Sequence, residues 1–447
     1  MRSHCYHVLV IALYLLLSSP CVFSRELSQT DGVAYLPVHW RRQYDPAVSI
    51  SAPVPTAFTN ASGKLGRRQS DGSLSITFVN NHDSSQMSAY VVGTDANHEL
   101  VVLLPSGEWY HPQPISTTTP EWLNVNITHQ LKGQGQSTSL EIPGTLISGR
   151  IYISSGGLRF GSVLIAGRPA AVLPDWNNAN DPSSQFTWSY IELTTSELGT
   201  TVDISYVDFV SLPLGIQMQC TANRTMRVRG INSTAVGVIC NQLANFATQD
   251  QPWNHLCSSS SDRKVLRVMS PGKYIAIAPG AFRGYYEGYV DKVYQLYSSS
   301  KTLYIDGQTN SSIPIACKVV NDRLDCSGAS RTFPKPSTEE IFSCSSTLSV
   351  GIRDNSIVKT VIPRLCAAFQ RSTLLLDGGD NQPYLSASNY YTANVTNRYA
   401  QLVHANEPDS LGYAFPFDDV HPTRDEDASG TMYCAKAVSL TITVDGS

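Results

Sequence analysis

Charge is scarce in this chain. Only 15% of its 447 residues are Asp, Glu, Lys or Arg, and the formal net charge is −4. A polyphosphate or an anionic bilayer is held by a dense basic face, so nucleic acid and membrane surfaces are excluded as partners. Cysteine is absent between Cys21 and Cys220, so the first half must fold on apolar strands without cross-links. Long apolar runs are missing too. The longest, HVLVIALYLLL at 7–17, is too short for a comfortable bilayer span. There is no Cys-x-x-Cys and no His-x₃-His pair, which argues against zinc. A P-loop, a G-x-S-x-G elbow and a G-x-G-x-x-G turn are also lacking. Neither a metal nor a cofactor is expected. The ten histidines are scattered; His404 and His421 lie near the C-terminal strands without a nucleophile in motif context and read as surface or loop residues.

Several features point to export. Arg2 followed by the apolar run, then Val22-Phe23-Ser24 before Arg25, reads as a signal peptide over residues 1–24. Eight cysteines then remain, an even number that fits four disulfides in an oxidising compartment. Cys317 and Cys326 flank a hairpin turn at Asn321-Asp322 and should pair. Proximity suggests Cys240–Cys257 and Cys344–Cys366, which leaves Cys220–Cys434. Sequons at Asn60, Asn126, Asn223, Asn232, Asn310 and Asn394 fit a secreted glycoprotein.

Residues 25–73 are polar, rich in Pro and Ser and without period, and are expected to be a disordered segment or propeptide. Their Arg67-Arg68 pair reads equally as a processing site or as ordinary linker arginines. From Leu74 the pattern turns to short strands (LSITFV, SAYVVG, LVVLLPSG, RIYISSGG, SVLIAG), which argues for a mainly β sandwich or barrel. After Cys220 helical spacing appears at 235–247, 285–297 and 362–370, and Ser337 with Glu340 forms a capping box. Strand pattern returns in YAFPFDDV and AVSLTITV. The resulting division is a β-domain over 74–216, an inserted α/β domain over 217–403, and returning β-strands over 404–447.

The chemistry centres on WSYIELTTSELGTTVDISYVDFVSLPL, residues 188–214. It reads as a hairpin broken at Leu198-Gly199-Thr200. A hairpin centred on Thr200 would set Glu192 opposite Asp208, with Cβ atoms about 5 Å apart on one face. A one-residue slip would send one acid to the other face. Trp188, Tyr190 and Thr194 share the Glu192 face, and Tyr206 shares that of Asp208. Rings and hydroxyls beside two carboxylates suit a sugar.

These residues resemble the segment shared by thaumatin-like proteins and glycoside hydrolase family 64, the endo-β-1,3-glucanases that release short laminari-oligosaccharides. The matching positions are Glu192, Leu193 and Thr194, then Asp203, Ser205, Val207 and Asp208, then Leu212-Pro213. The segments 149–160, 174–184, 279–297 and 412–420 resemble the family in order and spacing, so the likeness runs from about Leu74 to Val444.

The resemblance implies a thaumatin-like β-barrel or sandwich facing the inserted domain across a cleft. It implies an inverting hydrolase with Glu192 as general acid and Asp208 as general base, acting on laminarin or cell-wall β-1,3-glucan. An inverting pair stands about 6.5–9.5 Å apart to admit the attacking water. Glu192 must hold a proton, through burial or a negative neighbour such as Asp203 or Asp208. Thr194, Asp203, Ser205, Trp188 and Asp419 are expected to bind substrate, Asp419 because Asp418-Asp419 resembles the family's acidic pair. Ser196 and Thr201 depart from groups the family often places there. The alternative is a thaumatin-like protein that binds β-glucan without turnover. A secreted monomer, associated with a cell wall, fits either reading.

Overall fold

The computed structural model describes residues 73–445, apart from 84–85, 179, 260–264, 309–312 and 423–425. The expected signal peptide, the segment 25–72 with Arg67-Arg68, and the sequons at Asn60 and Asn310 lie outside the described residues. Asn126, Asn223, Asn232 and Asn394 are all exposed.

Strands build two large open sheets, with register shifts at Leu193/Thr195, Val92/Thr94 and Gln219/Cys220; neither closes into a barrel. The first has the order Thr225–Val228, Leu214–Cys220, Ala437–Val444, Leu74–Asn80, Gln136–Ile142. The returning C-terminal strand therefore completes this sheet, parallel to Leu74–Asn80 and antiparallel to Leu214–Cys220. The second sheet runs Met432–Cys434, Gly199–Ile204, Trp188–Ser196, Leu146–Ser154, Ser88–Thr94, Leu100–Leu103, Trp109–Tyr110.

Alternation decides what each face of the second sheet does. Ala89, Val91, Ile151, Ile153, Ile191, Leu193, Val202 and Ile204 point inward and join Ile76, Phe78, Ile216, Met218, Leu440 and Ile442 of the first sheet in one core. The opposite face carries Tyr90, Val92, Tyr152, Trp188 and Tyr190 in a separate aromatic cluster. The main core continues without a break into the helices through Ile239, Leu243, Val290, Val293, Val361 and Leu365.

The helices over Ala235–Phe246, Glu287–Ser299 and Ser356–Gln370 confirm the periodicity read from the sequence. The capping box is also formed: Ser337 accepts from Glu340 N and Glu340 reaches back to the Ser337 N–H, opening the helix Thr338–Ser343. Two helices escaped the sequence reading. One is Pro271–Ile277, with Pro in its first turn. The other is Arg398–Ala405, capped by the Asn397 side chain on Ala400 N. All four cystines are those expected: Cys220–Cys434, Cys240–Cys257, Cys317–Cys326 and Cys344–Cys366. No described helix is long and apolar enough to cross a membrane.

One expected strand is absent. In YAFPFDDV only Tyr413 makes a β-bridge, an isolated one to Ser205 just past the strand Gly199–Ile204. The rest turns, with Asp418 N donating to Phe415 O and Val420 N to Phe417 O. Pro416 has no N–H to give a ladder, and the Asp418 side chain accepts from Ala414 N, closing a local turn in place of a strand pairing.

Candidate active site

The hairpin at the centre of the site has a register different from the one expected. Ser196 pairs with Gly199, so the loop is Glu197-Leu198, and Glu192 faces Asp203, not Asp208. Gly199 lies at φ +130°, and a Cβ there would stand 2.8 Å from the Tyr433 ring and 2.9 Å from Cys434 O. This glycine is a close-approach position for the next strand, and not part of the turn itself. Five residues of offset is an odd number, so facing assignments on the second strand invert. Tyr206 belongs to the inner core, where its hydroxyl accepts from Ile231 N. Asp203 and Ser205 take the face of Glu192.

Asp208 nevertheless reaches that face by leaving the ladder. The strand stops at Ile204, the chain bends through 206–208, and Phe209–Val210 pairs with Val268–Met269. Tyr190, two residues from Glu192 on the same face, donates its hydroxyl to Asp208 Oδ2 at 3.0 Å. Lys273 Nζ stands 3.0 Å from Asp208 Oδ1. Burial pushes the Asp208 carboxyl up, but Lys273, Arg150 and the Tyr190 hydroxyl outweigh it and leave it below the ordinary carboxylate range.

Arg150 joins the two acids, and the sequence reading missed it. It faces Glu192 across the Leu146–Ser154 strand. Its Nη2 and Nε donate to Glu192 Oε1 at 2.9 and 3.2 Å, and its guanidinium lies 4.5 Å over the Tyr190 ring. Both contacts fall on Oε1. The available signal was an arginine in an apolar strand at even spacing from Tyr152.

Asp203 is the most unusual group. It is 1% exposed, and neither carboxyl oxygen meets a hydrogen-bond partner among the described residues. Burial pushes its carboxyl well above the carboxylate range, and the nearby charges of Glu192 and Asp419 add to the shift. Asp419 accepts from the Tyr413 hydroxyl at 3.0 Å. Asp427 is pushed up to about 6 by burial, with Asp419 and Asp418 contributing. Glu192 and Asp419 therefore both lie close enough to act on the buried Asp203.

Other expected contacts are redistributed. Trp188 is 1% exposed, packed edge-on against Phe209 at 4.9 Å, with its indole N–H donated to Ser183 O. It supports the site from beneath and offers no open face to a sugar, which corrects the expected stacking role. Thr194 is half-buried, and its hydroxyl accepts from Ser148 N at 3.0 Å. Ser205 is buried and bridges Tyr413. His404, expected at the surface, is mostly enclosed, its side chain 11% exposed, between Asp418 and Glu407 at 3.0 Å from each. Burial alone would lower it, but these two carboxylates raise it to about 10. Arg371 completes this network, donating to Asp418 Oδ1 at 2.8 Å and to Val420 O, and so fixes the turn that carries Asp419. Arg267, 1% exposed, donates to the carbonyls of Trp176, Ser184 and Phe186 and ties the 176–186 loop to the Val265–Met269 strand.

Away from the acids, Asp95, Glu99 and His111 bring ligand atoms within 4.8 Å of one another. Asp95 already closes a turn there by accepting from Asn97 N and Glu99 N.

Known proteins share this architecture. The glycoside hydrolase family 64 profile, described as β-1,3-glucanase, matches residues 72–444. A glucan endo-1,3-β-glucosidase of Cellulosimicrobium cellulans is 23% identical over 379 residues, covering 84% of this chain and 63% of that protein. One from Arthrobacter sp. (strain YCWD3) matches to the same extent. The chain thus spans less than two thirds of the length of these relatives. A laminaripentaose-producing β-1,3-glucanase solved with laminaritetraose superposes with a TM-score of 0.73 at 25% identity, covering 84% of this chain and 99% of that one. A family 64 domain from Clostridium beijerinckii shares the fold with a TM-score of 0.65 at 20% identity, covering 83% and 98%. With the profile matched across both large sheets and the helices between them, the chain belongs to glycoside hydrolase family 64, the β-1,3-glucanases.

Proposed function

We propose that this chain is a secreted, inverting endo-β-1,3-glucanase, with Glu192 as general acid and Asp208 as general base. The observation that carries the reading is the pair of carboxylates brought to one sheet face. Lys273 and Tyr190 hold Asp208, while Glu192 is held by Arg150 and stands beside the buried Asp203. In the reaction, a water oxygen bonds to the anomeric carbon as the glycosidic C–O bond breaks. Asp208 takes a proton from that water, and Glu192 gives its proton to the departing sugar oxygen. Asp419 orients substrate, and Thr194 and Ser205 line the approach. The substrate class is β-1,3-glucan, supported by the laminaritetraose bound to the similar glucanase. The thaumatin-like relationship, the division at 217–403 as an insertion, and action as a monomer belong to the same proposal. Secretion is supported by the four cystines.

The assignment is tested by varying the leaving group. Glu192→Gln should lose about 10²–10⁴-fold on laminarin, the usual worth of general acid catalysis. It should lose far less on an aryl laminarioside whose phenolate departs without protonation. Asp208→Asn should be impaired on both substrates. Equal losses for Glu192→Gln on the two substrates would remove it as the acid. Laminarin binding by the wild type with no turnover would return the non-catalytic alternative.

A further inference from the structure

Asp208 is where the two sheet strands and a distant helix converge. Phe209–Val210 pairs with Val268–Met269, and Ser270 N then donates to Asp208 O at 3.0 Å. Pro271 opens the helix Pro271–Ile277 directly afterwards. Lys273, in its first turn, reaches back to Asp208 Oδ1; the lysine side chain is 30% exposed and the aspartate 7%.

We propose that Lys273 is the positioning residue of this site. It fixes Asp208 Oδ1 and supplies the positive charge that keeps the base ready to accept a proton. The proposal rests on Asp208 being the base.

The helix itself does not explain a lysine there. A cation in the first turn sits at the positive end of the helix dipole, where it is disfavoured. Its place is rigid. A Cβ on Gly272 would come within 2.6 Å of Ser343 Oγ and 3.2 Å of Phe342 O, so the first turn is packed tightly on the helix Thr338–Ser343. Upstream, Arg267 anchors the preceding strand through three backbone carbonyls. The Lys273 backbone is therefore held from both sides, as a preorganised charge requires.

The other groups around Asp208 cannot replace it. Tyr190 gives one hydrogen bond to Oδ2 and no charge. Tyr152 and Tyr399 are buried phenols nearby. Arg150 is the other cation acting on Asp208, but its Nε and Nη2 donate to Glu192. Removing Lys273 would leave Oδ1 without its cation, with only the Arg150 charge and the Tyr190 hydroxyl opposing burial, and the affinity of the carboxyl for a proton would rise. With one donor on each oxygen, a second lone pair on each remains for the attacking water. Polysaccharide filling the site would exclude solvent and strengthen the Lys273 field at the moment of reaction.

The test is the pH profile of kcat/KM on laminarin for wild type, Lys273→Met, Lys273→Gln and Lys273→Arg. Met and Gln variants should move the acid limb up by at least one pH unit, so that activity at low pH falls tenfold more than at the plateau. Gln keeps a donor and loses the charge, so its limb should move with that of Met. The Arg variant should return the limb towards wild type, and kcat should change more than KM. A profile lowered by one constant factor at every pH, with its limb unmoved, would make Lys273 merely structural and overturn the proposal. A Met variant that does not fold leaves the decision to Gln and Arg, which preserve polarity. Near wild-type activity of Asp208→Asn would instead overturn the base assignment, whatever Lys273 does.

Discussion

Replacing Asp203 by Asn should stabilise this protein progressively as pH rises. Asp203 is 1% exposed with neither oxygen hydrogen-bonded, and burial raises its carboxyl well above the ordinary value of 3.8. The folded state therefore holds this proton more tightly than the unfolded chain. Its contribution is fully present below the unfolded carboxyl range and is lost as pH rises towards the folded value. Across that window the wild type loses up to about 1.4 kcal/mol per pH unit from this group. Asparagine does not titrate and escapes the loss. An unfolding entropy of about 2.1 cal/mol/K per residue over roughly 370 residues gives about 0.8 kcal/mol/K, so each pH unit should open a gap of about 2 °C. Burying an amide in this site adds a cost of its own, but one that does not change with pH. The slope, not the absolute difference, is the observable. Melting curves of both proteins from pH 4 to 8 should show the Asn variant gaining steadily on the wild type. A Tm difference flat across that range would show that Asp203 is solvated or paired, and the reasoning would fail.

Other substitutions probe the supports of the site. Tyr190→Phe keeps the ring that packs on Tyr152 and Phe209 but removes the donor to Asp208. Losing a hydrogen bond to the charged form should raise the Asp208 pKa, read as an upward move of the acid limb of the pH–rate profile, and an unmoved limb would contradict this. Arg267→Met leaves three backbone carbonyls of the 176–186 loop without their donor. It should lower stability by about 3 kcal/mol or more in denaturant unfolding, and an unchanged midpoint would contradict this. Removing Cys220–Cys434, separated by 214 residues, should cost about 5 kcal/mol in the chain-entropy treatment, checked by comparing Cys220→Ser/Cys434→Ser with the parent. Thiol titration of the denatured, unreduced parent should find none of these eight cysteines free.

Local pattern carried most of the fold. Alternation identified the strands, 3.6-residue spacing identified the longer helices, and Ser337 with Glu340 announced a helix start that the structure forms as read. Cysteine proximity gave all four pairings because three of the loops are short. The short helix at Pro271 was hidden, since seven residues give too few turns for a period to show. Arg398–Ala405 did carry the spacing, at Tyr399, Ala400, Leu402 and Val403.

The site was legible in its acids and not in its cations. Glycine at 199 drew the turn two residues too late, because a close approach to Tyr433 looks identical in sequence to a turn requirement. The odd offset would have placed Asp208 on the wrong face had the strand continued. The break after Ile204 restored it, and nothing local predicts that break, since it depends on pairing with Val268–Met269. Lys273 lies 65 residues beyond Asp208 and Arg150 lies 42 before Glu192. Such partners are fixed only by long-range topology. His404 was misread for the same reason: its carboxylate partner Asp418 comes from the turn between it and the returning strands.

The central claim is inversion by Glu192 and Asp208, and the anomer first released from laminarin tests it most directly. Proton NMR of wild-type digests, recorded faster than mutarotation, should show the new reducing end appearing first as the α-anomer, with β growing in later. First appearance of the β-anomer would mean retention, would make Asp208 a covalent nucleophile in place of a base, and would contradict the account.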